Sequence, residues 1–593
     1  MLHTFHIPVL GLAYSIDTPL KVARYGISSV VSIVDDELVE RMRQYHSLQN
    51  NEPYTPIIKN EPDHRARRIT AYLNLLHKLV NAQFEVIRHE AFTPGSDICR
   101  YFELLPPASA VKKLYNRMLQ IQDDIVRTSL QNVLRGRMRA GAIDVNIMAK
   151  VDKMNYNAAG EPDGEQNTDA LAALRGFAMS DLSSAVTLSA GMNPRLYSYL
   201  ESFNEFFPDE AARLHKRVIL KVSDFRSALI QAKFLAKKGV WVSEFRIESG
   251  LNCGGHAFAT DGLLLGPILE DFKQKRQEMQ AELWAMCSTA LKNKGYHLPD
   301  VPLLQRVSVQ GGIGTAGEND FLLNYYRLDA TGWGSPFLLV PEATNVDDDT
   351  LQSIAKASNE DYYVSDASPL GILFNNFRGS TAEVQRLERI AHNRPGSPCT
   401  KKFLVTNTEF TEQPICTASR EYQHLKLKQL QAANLTNEAY QEQFDQVTAK
   451  ICLCEGLCTS AYIKNDMLRP RENRAVAICP GPNLAYFSKV YSLDEMVKHI
   501  YGKLDLLEGI SRPNMFINEL NLYIDHLKKD IGQQLKNFTD KKEKYLVKFK
   551  DQLLQGIIYY KQLIPQISGQ TEDKLKEMQH MLLGCEAKLN ALI

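Results

Sequence analysis

Arg306-Val-Ser-Val-Gln-Gly-Gly-Ile-Gly-Thr315 is a β-type run that leads straight into four turn residues, Gly311-Gly312-Ile313-Gly314. A helix-like stretch, Gly317 to Tyr326, follows it. Glycines in such a turn let backbone N–H groups approach a phosphate, and the next helix points its positive end at the anion. The Lys-Ser/Thr pair of a nucleoside triphosphatase loop is missing, which excludes that class. One unit later, Asp329-Ala-Thr-Gly-Trp-Gly-Ser-Pro-Phe337 reads as a second strand ending in a small-residue turn, Gly334-Ser335. Two glycine turns one βα unit apart match the phosphate site that the loops after strands 7 and 8 build in a (β/α)8 barrel.

The rest of the first 380 residues supplies the strands such a barrel needs. Ile7 to Leu12 and Ile27 to Val34 flank a helical stretch from Thr18 to Tyr25, with Asp17-Thr18-Pro19 as its cap and first turn. From about Glu37 to Arg139 the rhythm breaks into long helical patterns, Arg65 to Glu90 and Ser109 to Arg135, which predict a helical insertion or cap. It resumes at Ile143 to Ala149, Ala185 to Ser189, Arg217 to Val222 and Trp241 to Glu248. With Arg306 to Gln310 and a last strand near Ala330 to Gly334, the count is eight. An open doubly wound sheet competes with the barrel on strand count alone.

Three regions are expected: a barrel over 1–380 interrupted at about 37–140, a cysteine-bearing mixed segment over 381–491 around a helix near Tyr422 to Ala449, and a helical tail over 492–593. The tail is rich in Lys and Leu and reads as packing helices or a homo-oligomer contact. The whole chain has 593 residues, 44% hydrophobic and 23% charged, ordinary values for a globular protein. Lys plus Arg equals Asp plus Glu, 69 against 69, so nothing pulls it toward nucleic acid or an anionic membrane. No apolar run reaches the length of a bilayer span, and the N-terminus lacks the pattern of a secretory leader. A cytoplasmic location is expected.

Ten cysteines, six of them between Cys399 and Cys479, do not form the evenly spaced framework of a secreted scaffold. Cys452, Cys454 and Cys458, with Cys479 downstream, are the candidates for zinc or an iron–sulfur cluster. Their spacing fits no common ligand pattern, and cysteine is also a good small core residue. Cys399 and Cys416 join them only if the fold brings them there.

Glu248-Ser-Gly-Leu-Asn-Cys-Gly-Gly-His256 follows the sixth strand and places His256 at the barrel's C-terminal mouth, where it can serve as a general base near neutral pH. Lys221 ends the fifth strand, either beside a cofactor ring or in a salt bridge at the mouth. Asp366, Asn375 and Arg378, after the last strand, read as structural.

Taken in order, these motifs resemble the FMN-dependent nitronate monooxygenase and 2-nitropropane dioxygenase superfamily of (β/α)8 barrels, which also holds flavin-dependent enoyl reductases of fatty-acid and polyketide synthesis. The family's strand-6 Gly-Gly-His matches Gly254-Gly255-His256. Its strand-7 phosphate turn matches Gly311, Gly312 and Gly314, its strand-8 turn Gly334-Ser335, and its strand-1 mouth Gly11-Leu12-Ala13. Val145-Asn146-Ile147 looks like the strand-3 segment whose Asn faces the flavin. The resemblance implies noncovalent FMN, held by Leu12, Ala13, Asn146, Lys221, Gly255 and the two glycine turns, with His256 catalytic. It implies oxidation of a nitronate-like small substrate by flavin and O2, or NAD(P)H-dependent reduction of an acyl thioester. A non-catalytic flavin- or metal-binding interaction protein is the competing class. The chain departs from the pattern at Asn252-Cys253, where the family has an acidic residue and a small one, and at Leu12-Ala13, where it has Pro-Met. The insertion and the tail have no counterpart in small nitronate monooxygenases. Synthase-associated enoyl reductases do carry helical regions after the barrel, and Cys479-Pro-Gly-Pro-Asn-Leu-Ala-Tyr-Phe487 resembles one of them loosely.

Overall fold

The computed structural model describes residues 2–592 apart from 150, 157–160, 190, 253, 256–260, 297, 300, 535–539 and 569. Eight strands close in chain order into a barrel, each parallel to both neighbours: β1 (Phe5–Ile7), β2 (Ser28–Ser32), β3 (Ile143–Ile147), β4 (Ala185–Leu188), β5 (Arg217–Val222), β6 (Val242–Glu248), β7 (Arg306–Gln310) and β8 (Ala330–Gly332). β8 returns to pair with β1, so the sheet has no edge and the open-sheet alternative is excluded. The first strand is shorter than its apolar run suggests. Pro8 has no N–H to extend the ladder, so the chain leaves the sheet there and Ile7 is the last strand residue.

Register assigns each side chain to a face. His6, Ser32, Asn146, Thr187, Lys221, Glu248 and Gln310 share the barrel interior through their pairings. The alternate residues, among them Val145, Val186, Leu220, Phe245, Ile247 and Val309, face the surrounding helices and are fully buried. The interior is therefore polar and partly ionic. Arg246 pairs with Glu244 at 2.8 Å, and Ser308 donates to Glu244 at 2.6 Å.

Burial holds two histidines of this region neutral. His3 is pushed down to about 4 by desolvation, and His6 to about 3 by desolvation and then by the nearby Arg246. The unfolded chain takes up these protons below about 6.5, and the folded chain does not. The stability they contribute is thus present above that pH and is lost as pH falls toward 4. We expect each histidine to cost about 2 kcal/mol between pH 7 and pH 5, read from urea midpoints, with His3→Gln removing its share of the slope.

The insertion is helical, as expected, but it is not a cap. Its long helix His64–His89 lies in the outer ring between β2 and β3, burying Ile69, Tyr72, Leu73 and Leu76. Tyr72 donates to the Ile16 carbonyl at 2.9 Å. The helical pattern from Ser109 to Arg135 is split into Ala110–Gln120 and Asp124–Arg137, because the Asp123 carboxylate accepts from the N–H groups of Ile125 and Val126 and starts a new helix. The pattern from Tyr422 to Ala449 likewise divides into Arg420–Ala432 and Asn437–Thr448, with Thr436 as the second cap.

After β8, a helix (Asp348–Lys356) and an antiparallel hairpin, β9 (Tyr362–Ser365) with β10 (Phe374–Phe377), lead to the cysteine-bearing segment. The tail helices Met515–Gln534 and Asp540–Leu563 pack on the barrel's own helix Leu265–Asn293, and Glu572–Asn590 packs on those two. Tyr560 is fully buried, and its hydroxyl accepts from the Gly266 N–H at 3.2 Å. Among the described residues, no helix is long and apolar enough to cross a membrane.

Candidate active site at the barrel mouth

The C-terminal ends of the strands gather the polar groups picked out from the sequence. Asn146, near the end of β3, is 1% exposed, and among the described residues neither atom of its side-chain amide has a hydrogen-bond partner. Among the described residues, Ser32 Oγ and Thr187 Oγ1 on the same interior face are also buried without partners. A buried unsatisfied group costs about 1–3 kcal/mol, so a cluster of them at a strand end suits a polar ligand. Lys221 does not stand alone there. Its ammonium lies 2.7 Å from Glu248, and that carboxylate also accepts from Gln310 Nε2 at 2.9 Å and from the Asn252 amide.

The turn after β7 lies against the turn after β6. Gly311 and Gly312 have φ of 102° and 77°, the left-handed region. A Cβ on Gly312 would fall 2.7 Å from Leu251 Cδ1, so neither the conformation nor the space admits a side chain. Gln310 on β7 pairs with Gly332 on β8, which brings the second turn, Gly334-Ser335, alongside. The two glycine turns therefore share one side of the mouth.

The end of the first turn already holds an anion, and it belongs to the chain. Glu318 Oε2 accepts from the N–H groups of Gly314 at 2.8 Å and Thr315 at 3.2 Å, and Thr315 caps the helix Ala316–Tyr325 in return. Arg512 pairs with Glu318 at 2.7 Å and donates to the Gly312 carbonyl at 2.5 Å. Asn483 donates to the Ile313 carbonyl at 2.8 Å. His499 receives the Leu506 N–H on Nδ1, so its Nε2–H donates to the Gly314 carbonyl at 2.8 Å. Gly314 is thus committed to the turn's own clamp. Among the described residues, none accepts from the N–H of Gly312, Ile313 or Gly334, and these groups, with Ser335, form the available anion cradle.

A segment far along the chain crosses the same mouth. Tyr14, after β1, donates to the Ala477 carbonyl at 2.6 Å, and the Gly254 N–H donates to the Cys479 carbonyl at 3.3 Å. Gly481 passes so close to the turns after β6 and β8 that a Cβ there would lie 2.6 Å from Ser335 Oγ and 2.9 Å from the Leu251 carbonyl oxygen. Residues 475–487 thereby wall the site between the loops after β1, β6, β7 and β8. Leu12 is half-buried and Ala13 buried in the loop after β1. Gly255 accepts from the Asn375 N–H at 3.0 Å. His256, Cys253 and Lys150, the last a candidate for proton transfer beside Lys221 should His256 not serve, lie outside the described residues.

Several participants were not singled out from the sequence. Glu519, on a tail helix and 2% exposed, accepts from Ser249 Oγ at 2.7 Å, the Gly250 N–H at 2.9 Å and the Leu265 N–H at 2.8 Å. It ties together both ends of the loop that carries Gly254-Gly255-His256, and burial pushes its carboxyl up. The capping pair Thr315 and Glu318 was legible as Thr-x-x-Glu. Nothing local marks Arg512, Asn483 or Glu519.

The four cysteines named as candidate metal ligands do not come together as one set. Among the described residues, no group of three or more His, Cys, Asp or Glu is placed to hold a metal ion. Cys452 is the N-cap of the helix Leu453–Lys464, and Cys454 and Cys458 stand one turn apart on it. Cys458 donates to Asp35 at 3.3 Å, while Cys479 lies away beside Gly11 at the mouth. A helix offers its cysteines along one face, and Cys479 is drawn off by the segment that crosses the barrel.

No protein-family model matches the chain, and no curated protein matches it. Two solved structures are similar to it at low TM-score. The enoyl reductase domain of MlnA from the macrolactin biosynthesis cluster of Bacillus amyloliquefaciens is 14% identical over 71% of this chain and 88% of its own, with a TM-score of 0.31. A point mutant of FabK from Thermotoga maritima is 11% identical over 68% of this chain and 84% of its own, with a TM-score of 0.28.

Proposed function

We propose that the chain is an FMN-dependent oxidoreductase that works at the C-terminal mouth of its barrel. The observation that carries this reading is one conjunction: an orphaned buried amide, Asn146, with unclaimed N–H groups on the adjoining turns after β7 and β8. Gly312, Ile313, Gly334 and Ser335 would hold the phosphate, and Asn146 with the backbone at Leu12 and Ala13 would meet the ring end. Bound FMN supplies hydride or electron transfer, which no side chain can. The chain's own part is to bind, orient and keep water out. Lys221 is held in place at the mouth by its ion pair with Glu248. His256, presented on Gly254-Gly255, takes or gives the substrate proton.

Oxidation of a nitronate-like small substrate with O2 is the first reading of the reaction. Reduction of an acyl thioester by NAD(P)H is the second. A specific observation favours the second: a cleft of about 280 Å3 opens beside the mouth segment, lined by Tyr362, Asn375, Pro480, Pro482, His526 and Asp530, room for a substrate longer than a nitroalkane. Purified protein should be yellow and release FMN on denaturation. Anaerobic bleaching by a nitronate supports the first reading and bleaching by NADH or NADPH the second. A flavin inert to all of them identifies a binding protein, and a colourless protein that cannot be reconstituted removes the flavin reading.

Asn146→Leu separates ligand binding from folding. Two unsatisfied buried atoms disappear, so the flavin-free protein should gain about 1 kcal/mol or more. FMN should bind about tenfold more weakly for one lost hydrogen bond. Thermal melts of the flavin-free form and a flavin titration check the two signs, and equal flavin affinity would place Asn146 away from the ring.

A further inference from the structure

Gly311 and Gly312 have no side chains to fix their conformation, so the turn after β7 does not by itself determine which way its peptide groups face. Side chains from the C-terminal segments determine it. A planar trans peptide points its C=O and the next N–H to opposite sides, so a donor that holds the carbonyl also aims the amide. Arg512 Nη2 holds the Gly312 carbonyl at 2.5 Å, Asn483 Nδ2 the Ile313 carbonyl at 2.8 Å and His499 Nε2 the Gly314 carbonyl at 2.8 Å. The amides opposite them are those of Ile313, Gly314 and Thr315. Glu318 takes the last two. Among the described residues nothing accepts from the Ile313 N–H, and the clamp turns it away from Arg512.

Arg512 organises the set. Its planar fork reaches three acceptors at once: the Gly312 carbonyl through Nη2, Glu318 Oε1 through Nη1 at 2.7 Å and Asn483 Oδ1 through Nε at 2.9 Å. The last bond turns the Asn483 amide so that its Nδ2 meets Ile313. The guanidinium lies so close to the turn that a Cβ on Gly314 would fall 2.5 Å from its Cζ. The third glycine of the turn is therefore the seat of an arginine. His499 joins the two glycine turns: besides bonding Gly314, it packs edge-on against Trp333, next to Gly334-Ser335, with ring centroids 5.9 Å apart. Asn483 and His499 are each 1% exposed, so water does not compete for these bonds.

We propose that Arg512 is a positioning residue for the cofactor's phosphate. With Asn483 and His499 it aims the Ile313 N–H into the cradle shared with Gly334-Ser335, and the chain beyond the barrel thereby sets the preference of the site for a phosphorylated flavin. The inference rests on the flavin reading and adds the C-terminal segments to the cofactor site. A lysine at 512 would keep the charge, but a single point of charge does not span three acceptors.

The test titrates the flavin-free full chain with FMN and with riboflavin, which has the same ring and no phosphate. The unaltered protein should bind FMN about 100-fold or more tightly than riboflavin. Arg512→Lys should lose about tenfold or more of that preference while its riboflavin affinity holds. Asn483→Leu, which leaves the Arg512–Glu318 pair in place, should lose part of it in the same way. Adding Glu318→Gln to Arg512→Met should recover stability without recovering the preference, which a clamp serving stability alone would not do. One measurement needs no variant to fold: FMN, and not riboflavin, should slow hydrogen exchange at the Ile313 amide. An unchanged ratio of FMN to riboflavin affinity in Arg512→Lys and Asn483→Leu, or no slowing at Ile313, overturns the inference and leaves the flavin reading standing. A chain that binds neither flavin overturns both.

Discussion

Arg512→Met should destabilise the protein by about 3–5 kcal/mol, the usual consequence of removing one partner from a buried ion pair. The side chains of Arg512 and Glu318 are 4% and 3% exposed and meet at 2.7 Å. Arg512 also donates to Asn483 Oδ1 at 2.9 Å and to the Gly312 carbonyl. Glu318 meanwhile accepts from the N–H groups of Gly314, Thr315 and Met515. Without the guanidinium, a carboxylate remains in the interior with its donors but without its counter-charge. A second variant isolates that cost. Adding Glu318→Gln to Arg512→Met should recover a substantial part of the loss, because the uncompensated charge is gone. Denaturant midpoints measure both. A loss below about 1 kcal/mol in the single variant would mean the pair is solvated and the clamp on the β7 turn is weak.

His256→Ala should keep its flavin and slow reduction by substrate about 10²- to 10⁴-fold, the worth of a positioned acid or base. The chain before it is held at Gly250, Gly254 and Gly255, and the chain after it is next tied at Leu265. Gly254 is bonded to the mouth segment at Cys479, Gly255 to Asn375 of β10, and Glu519 binds Gly250 and Leu265 at the ends of the loop. Anaerobic stopped-flow reduction checks the rate, and the flavin absorbance of the purified variant checks retention. An unchanged rate with the true substrate would assign proton transfer elsewhere, with Lys221 and Lys150 next to be substituted. Lys221 is the weaker of these, because its ammonium is already engaged by Glu248.

The barrel was readable because its signals are local. Arg217–Val222 and Arg306–Gln310 are strands with the bounds the sequence predicts, and the remaining strands differ by a few residues at their ends. The largest shift, at β1, comes from one residue, Pro8, whose missing N–H outweighs the apolar run around it. Helix breaks at Asp123 and Thr436 were also written locally, as capping side chains, but continuous amphipathic periodicity masked them.

By itself, the sequence determined where the strands lie, the polar residues at their ends and the two glycine turns, since alternation, turn conformation and capping depend on neighbours a few residues apart. Only the tertiary structure decided which distant groups complete the site. Arg512 meets Glu318 across 194 residues, Glu519 reaches Ser249 across 270, and residues 475–487 return to wall the mouth. It also sent Cys458 and Cys479 to different neighbours. Such partners are chosen by the closure of the barrel and the burial of the tail's apolar faces, which act on the whole chain at once and leave no mark in a local window.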